Sequence, residues 1–389
     1  MSITGHTQGA DTTVEPAAVT RTLRDASFAN LLVRADGPSL AATALLARTC
    51  DTIGLPYQVS PVRTRRAAAD RRAGMATDTS VIVVGMADTE PEGRADVDVD
   101  AWLATNAVTT AVAVADHLDA AVPPTLALAG IVAAGEPASA HPSLVERAGL
   151  ERHPGVAIPV ADPIDGVAHS TLVHGPFSGD PEATAETVAD IDGETRSEAQ
   201  RRRLASLVAV AVTGAEEATP RAATAVEALC RPYPIDGPVA TLGGYADVLE
   251  ATAATAPGIG VALALDGDMC SRALDRWRSH ANRTHAAIRS ASTARYDGLL
   301  VVRIAATDPP ASVETVARLM RDFRSPEPAV LAVGGDQAAV ATTETPASAV
   351  LPDAAAAVGG SALCRENRGF ATIDPDQTEA FITTLREGL

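Results

Sequence analysis

The stretch from Ala29 to Cys50, ANLLVRADGPSLAATALLARTC, constrains the fold most, because it joins an apolar run, a sharp polar turn and a helix with an apolar face. Asn30-Leu31-Leu32-Val33 reads as a buried strand, and Asp36-Gly37-Pro38-Ser39 supplies the turn, with Pro38 suited to the first helical position. Ala42, Leu45, Leu46 and Cys50 recur on one face until Gly54 stops the helix, and Tyr57 to Val62 begins a second strand. In an open α/β sheet the turn after the first strand lies at the carboxyl edge, where ligands gather. Asp36 is therefore expected to border any site the chain has.

Composition sets the class. A chain of 389 residues with 46% apolar residues can bury two or three cores. The net charge is -18, and all 31 basic residues are Arg. Abundant Ala, Asp and Glu, no Lys and 3% aromatics point to a halophilic source whose acidic surface serves solubility. In molar salt the Debye length falls to about 3 Å, so any phosphate contact must be direct. Cys50, Cys230, Cys270 and Cys364 are scattered, without the spacing of a disulfide framework or zinc site. The polar N-terminus carries no secretory signal and no apolar run reaches about 18 residues, so a cytoplasmic protein without a membrane span is expected.

Along the chain, residues 1–20 read as a mobile tail leading into a short helix around Ala17 to Asp25. The cluster Arg63 to Arg72 is either a solvated helix face or a phosphate-contacting patch. A strand at Ser80 to Val84 precedes the acidic segment Pro91 to Asp100, in which Asp96, Asp98 and Asp100 alternate as in a solvated loop. His169 and His174 lie five apart among turn residues and suit structural roles better than a metal pattern. Gly260 to Leu265 reads as a strand. The helix from Ser271 to Ser290 carries Arg272, Arg276, Arg278, Arg283 and Arg289 with Trp277, which gives the chain its clearest nucleic-acid signal. There Arg276 and Arg283 would touch phosphates and Trp277 would stack on a base, unless Trp277 packs inward and the arginines pair with acidic neighbours.

The opening strand, the Ala-Asp-Gly turn and the Ala-rich helix resemble the first motif of the DHH phosphoesterase superfamily, above all archaeal RecJ-like exonucleases. That motif is close to H-x-D-A-D-G and binds catalytic Mn²⁺ or Mg²⁺; the matching positions here are Leu32, Arg34, Asp36 and Gly37. The next metal-binding Asp of the family falls at Val84-Gly85-Met86-Ala87-Asp88, where it is missing or displaced by three residues. Thr125 to Glu136, TLALAGIVAAGE, resembles a further ligand segment ending in Asp, with Glu136 in that place. Val358-Gly359-Gly360-Ser361 resembles the G-G-H motif of the DHH-associated domain, with Ser361 for His.

The resemblance implies an α/β fold: an N-terminal parallel-sheet DHH-like lobe (residues 21–190), a helical connector and middle region (191–292), and a smaller C-terminal α/β lobe like the DHH-associated domain (293–389). Asp36 and Glu136 are the candidate surviving metal or catalytic residues, holding Mn²⁺ or Mg²⁺ if any site is retained. Arg276, Arg283, Trp277, Gly359, Gly360 and Arg368, with Arg365 beside the last, are the candidate nucleic-acid contacts. Arg34 stands where the family places a cation and is expected to pair with Asp36 or Glu136. The implied function is that of a nuclease-deficient RecJ-like protein, a nucleic-acid-associated or scaffold subunit in DNA replication or repair. Its implied partners are single-stranded nucleic acid and a GINS-like replisome component or RecJ-like paralogue. An active Mn-dependent single-strand 5′–3′ exonuclease is the alternative.

Overall fold

The computed structural model describes residues 16–86, 99–104, 106–189 and 197–389. Four parallel strands form the first sheet: β1 (Ala29–Arg34), β2 (Tyr57–Val62), β3 (Ser80–Val84) and β4 (Ala101–Leu103), in the order β2-β1-β3-β4. β1 lies between β2 and β3, with all six residues buried, as an apolar run with helical crossovers requires. Its side chains alternate: Ala29, Leu31 and Val33 join a large core, while Leu32 joins a smaller one on the opposite face. Helices Gly37–Ile53, Ala107–His117, Pro124–Ala134 and Leu242–Thr255 contribute to the large core. The opposite face carries the nine-residue helix Arg65–Ala73.

The second sheet has six strands: β5 (Ser292–Tyr296), β6 (Leu299–Arg303), β7 (Ala329–Gly334), β8 (Gln337–Thr342), β9 (Ser361–Cys364) and β10 (Arg368–Thr372). Their order is β5-β6-β7-β8-β10-β9, and only β6 and β7 pair in parallel. Helices Ala347–Ala357 and Thr378–Gly388 close one face, and Val313–Phe323 closes the other. The α/β architecture expected from sequence is thus present, with a parallel sheet in the N-terminal part, helices between, and a second sheet at the C-terminal end. Leu363 of β9 packs against the small core on the first sheet, which brings the β9-β10 turn to the carboxyl edge of β1.

One expected strand is a helix. Gly260 to Leu265 lies inside the helix Pro257–Asp266, which begins with Pro257 and ends at Gly267 in the left-handed region. A short continuous apolar run has no period to separate a buried strand from a buried helix. Gly260 packs against helices Gly37–Ile53 and Leu242–Thr255, where a Cβ would lie 2.6 Å from Leu40 Cδ1 and 2.7 Å from Thr252 Oγ1. Of the acidic segment, Asp96 and Asp98 lie outside the described residues, and the Asp100 carboxylate accepts from the Val81 amide at 2.7 Å. No helix among the described residues is long and apolar enough to cross a membrane.

Four histidines gather beside the helix Cys270–Ser290, and their hydrogen bonds fix their roles. His285 Nε2 lies 3.1 Å from the Ser170 carbonyl and so donates to it; its Nδ1 then accepts from His174 Nδ1 at 3.0 Å. His280 lies 3.2 Å from the Thr315 hydroxyl, and His169 lies 2.9 Å from an Asp165 carboxylate oxygen. Burial above all pushes His174 down to about 2, His280 to about 3 and His285 to about 4, the last against the opposing pull of its hydrogen bond to the Ser170 carbonyl. All three fold neutral, whereas the unfolded chain protonates them near pH 6.5. Below that pH the unfolded state binds more protons, so stability falls until each folded value is reached. The loss is up to about 1.4 kcal/mol per pH unit for each histidine. Denaturation free energies measured at constant salt should therefore drop steeply between pH 6.5 and pH 5; a flat profile over that range would show that these histidines are not buried neutral.

Candidate functional site: an arginine-filled cleft at the end of the first strand

Asp36 caps the helix Gly37–Ile53 from extended backbone, and its Oδ1 accepts from the Ser39 amide at 2.9 Å. Such a cap contributes about 1 kcal/mol to helix stability. Its Oδ2 is held by two guanidiniums: Arg34 Nε at 3.0 Å and Arg365 Nη2 at 2.8 Å. Arg365 comes from the β9-β10 turn and also reaches Ser39 Oγ at 3.3 Å, so the contact joins the two sheets' lobes. Arg34 extends on to Glu314 Oε1 at 3.5 Å. Burial alone would raise the Asp36 carboxyl, but the charges of Arg365 and Arg34 outweigh it and hold the group below its usual range.

Glu250, Arg318 and Arg368 line the same small cavity of about 50 Å³. Burial, reinforced by the charge of Asp36, pushes Glu250 up to about 7. Burial, followed by repulsion from Arg318, lowers Arg368 to about 10, so it stays charged near neutrality. Four guanidiniums (Arg34, Arg318, Arg365, Arg368) thus face three carboxyls (Asp36, Glu250, Glu314), one of them half-protonated near pH 7. The excess is positive, which suits an anion.

The donor set does not fit Mn²⁺ or Mg²⁺. Hard divalent cations take several oxygen ligands, whereas here the central carboxylate is already shared by two cations of the chain itself. Among the described residues no group of three or more His, Cys, Asp or Glu is arranged to hold a metal. Gly85 shows why the missing family Asp has no place. It has φ +85°, and a Cβ would lie 1.9 Å from Ser39 Oγ and 3.1 Å from Arg34 Cβ. Asp88, three residues on, lies outside the described residues.

Several expected site residues are placed differently. Glu136 does not line the cavity of Asp36; its side chain is 54% exposed and lies 3.0 Å from His141 Nε2. The adjacent Gly135 does approach the cleft, since a Cβ there would lie 2.7 Å from an Arg368 nitrogen. Gly359 and Gly360 also stay out of the cavity. They form the turn into β9, where Gly359 has φ +71° and a Cβ on Gly360 would lie 2.4 Å from the Thr372 carbonyl. Trp277 is fully buried and its Nε1 donates to Asp247 Oδ2 at 2.8 Å, so no base can stack on it. Arg278 pairs with Asp165 at 2.7 Å, Arg289 donates to the Ser178 carbonyl at 2.6 Å and Arg283 donates to Ser279 at 2.7 Å. Arg276 is exposed. His174 pairs with His285 at 3.0 Å.

Sequence reasoning missed Glu250, Glu314 and Arg318. The signal for Glu250 was its place as one of two carboxyls, with Asp247, in the otherwise largely apolar helix Leu242–Thr255, where a carboxyl needs polar partners.

The fold is similar to those of CDC45 and RecJ. CDC45 from Entamoeba histolytica superposes with a TM-score of 0.56 at 10% identity, covering 95% of this chain and 97% of that one. RecJ from Thermus thermophilus, in complex with Mn²⁺, gives 0.50 at 13% identity over 96% of this chain and 53% of that one. The chain itself belongs to the family of the protein rrnAC1427 of Haloarcula marismortui, with which it is 42% identical over 380 residues, 96% of each chain. Residues 291–387 match the family model described as "Uncharacterized protein rrnAC1427, C-terminal domain".

Proposed function

We propose that this chain is a RecJ-like protein that has lost phosphodiester cleavage and acts as a nucleic-acid-associated or scaffold subunit in DNA replication or repair. The observation that carries the reading is the Arg34–Asp36–Arg365 cluster, in which guanidiniums stand where hydrolysis through two metals would need cations and open ligand positions. The positive excess of the cleft supports phosphate binding without hydrolysis, with Arg368 among the residues that line the cavity. Arg276, and Arg283 through its remaining donors, belong to the same proposal as phosphate contacts on the long helix. A GINS-like component or a RecJ-like paralogue is the proposed protein partner, supported by the fold likeness to CDC45.

The test is an assay on 5′-labelled single strands of DNA and RNA, with Mn²⁺ or Mg²⁺ in high salt. The expected outcome is no metal-dependent shortening above that given by an Asp36→Ala variant. Robust 5′ degradation that disappears in Asp36→Ala would establish the exonuclease instead.

A further inference from the structure

Parallel sheets are ordinarily covered on both faces. Here the face of the first sheet that bears the helix Arg65–Ala73 is left partly open beside β1 and β2, as a groove of about 990 Å³. Its floor is polar where a strand core is normally apolar. Asn30 sits within the fully buried β1, only 5% exposed, and its Nδ2 donates to Thr79 Oγ1 at 2.9 Å. The same side chain lines the groove.

Gln58 is the register partner of Asn30 across β1 and β2, so two amides stand side by side on this floor, about 4.8 Å apart at the backbone. Gln58 is exposed and also lines the groove. Phe28 and Met75 supply apolar wall, and Arg63 and Arg71 stand on the rim. Arg63 is tethered to the Ala254 carbonyl, while Arg71 is exposed and makes no ion pair among the described residues. In a chain of net charge -18, Asp70 is the single acidic residue of this lining. Adjacent amides that offer both donors and acceptors, an apolar wall and paired guanidiniums match the edge, the face and the phosphate of a nucleotide. Ala35 lines both this groove and the arginine cleft, so the two lie side by side.

We propose that the open face of β1 and β2 binds a nucleotide of single-stranded nucleic acid, its base against Asn30 and Gln58 and its phosphate between Arg63 and Arg71. The strand then continues past Ala35 into the cleft around Asp36. The inference rests on the nucleic-acid reading above and adds to it a base-contacting site outside that cleft.

Fluorescence anisotropy with 5′-fluorescein dT15 and rU15, in one high-salt buffer, tests it with the full chain. Gln58→Ala and Arg71→Gln change exposed side chains, so the fold is retained, and the double variant is expected to bind at least tenfold more weakly than wild type. An excess of the free mononucleotides dTMP and UMP should compete poorly, because a lone nucleotide forgoes the contacts in the cleft. If the double variant binds both oligonucleotides as wild type does, the groove is not the site and the nucleic-acid reading survives. If free mononucleotide binds as tightly as the 15-mer, the strand path is overturned. Absence of binding by wild type to either oligonucleotide would overturn both the groove and the nucleic-acid reading.

Discussion

Replacing Gly85 by Asp, which restores the residue type that the family resemblance places at the end of this strand, should destabilise the protein by about 3 kcal/mol or more. Two effects add. The backbone at φ +85° is strained for any residue with a Cβ, at a cost of about 1–3 kcal/mol. The new Cβ would also overlap Ser39 Oγ at 1.9 Å, and overpacking of this kind costs a further 1–3 kcal/mol or so. Ser39 cannot simply turn away without disturbing its contact with Arg365. Gly85→Ala should already show most of the loss, because both terms arise at Cβ; denaturation midpoints of the two variants in constant salt measure it. A change within about 0.5 kcal/mol for either variant would mean that the cleft has room for the lost ligand.

The sequence made the β-α-β opening legible because Pro38, Gly54 and the apolar run each carry a local physical signal. Asp36 at the carboxyl edge followed from that topology, and the structure has it there. The rest of the cleft was not legible for a reason of distance. Glu250, Glu314, Arg365 and Arg368 come from a middle helix and the C-terminal lobe, and only lobe packing through contacts such as Leu363 brings them to Asp36. The carboxyls of the helix Leu242–Thr255 signal polar partners, but nothing in the local sequence says which residues those are. Glu136 was selected by its place in a motif, yet the left-handed Gly135 ends its helix and leaves the carboxylate to solvent and His141.

The long helix teaches a different lesson. Ala273, Trp277, Ala281, Thr284 and Ile288 recur at helical spacing and form its buried face. Trp277 belonged to that period, so the same periodicity that identifies the helix also assigns Trp277 to the core. Its indole N–H then needed a buried acceptor, which Asp247 provides. The arginines were right as surface residues, but Arg278 is engaged by Asp165 and Arg289 by the Ser178 carbonyl.

The second large effect is expected at Arg365. Its side chain is 15% exposed and that of Asp36 10%, so high salt screens their contact only weakly. Removing one partner of a buried pair costs about 3–5 kcal/mol, because the other charge is left uncompensated. Arg34 still holds Asp36, so the loss for Arg365→Ala should fall near the lower end, about 3 kcal/mol. In that variant the Asp36 carboxyl loses its largest stabilising charge and moves upward. Its contribution to stability, present above about pH 4 in wild type and lost only as pH falls through the lowered folded value, then disappears at higher pH.

Whether arginines of the chain itself take the place of a metal at Asp36 is decided by a double-mutant cycle over Arg365→Ala, Asp36→Asn and their combination, read as denaturation free energies with and without Mn²⁺. The double variant is expected to lose at least about 1 kcal/mol less than the sum of the single variants, and Mn²⁺ to change none of the four proteins. Additive losses within about 0.5 kcal/mol, or a Mn²⁺-induced gain in wild type that vanishes with Asp36→Asn, would contradict it.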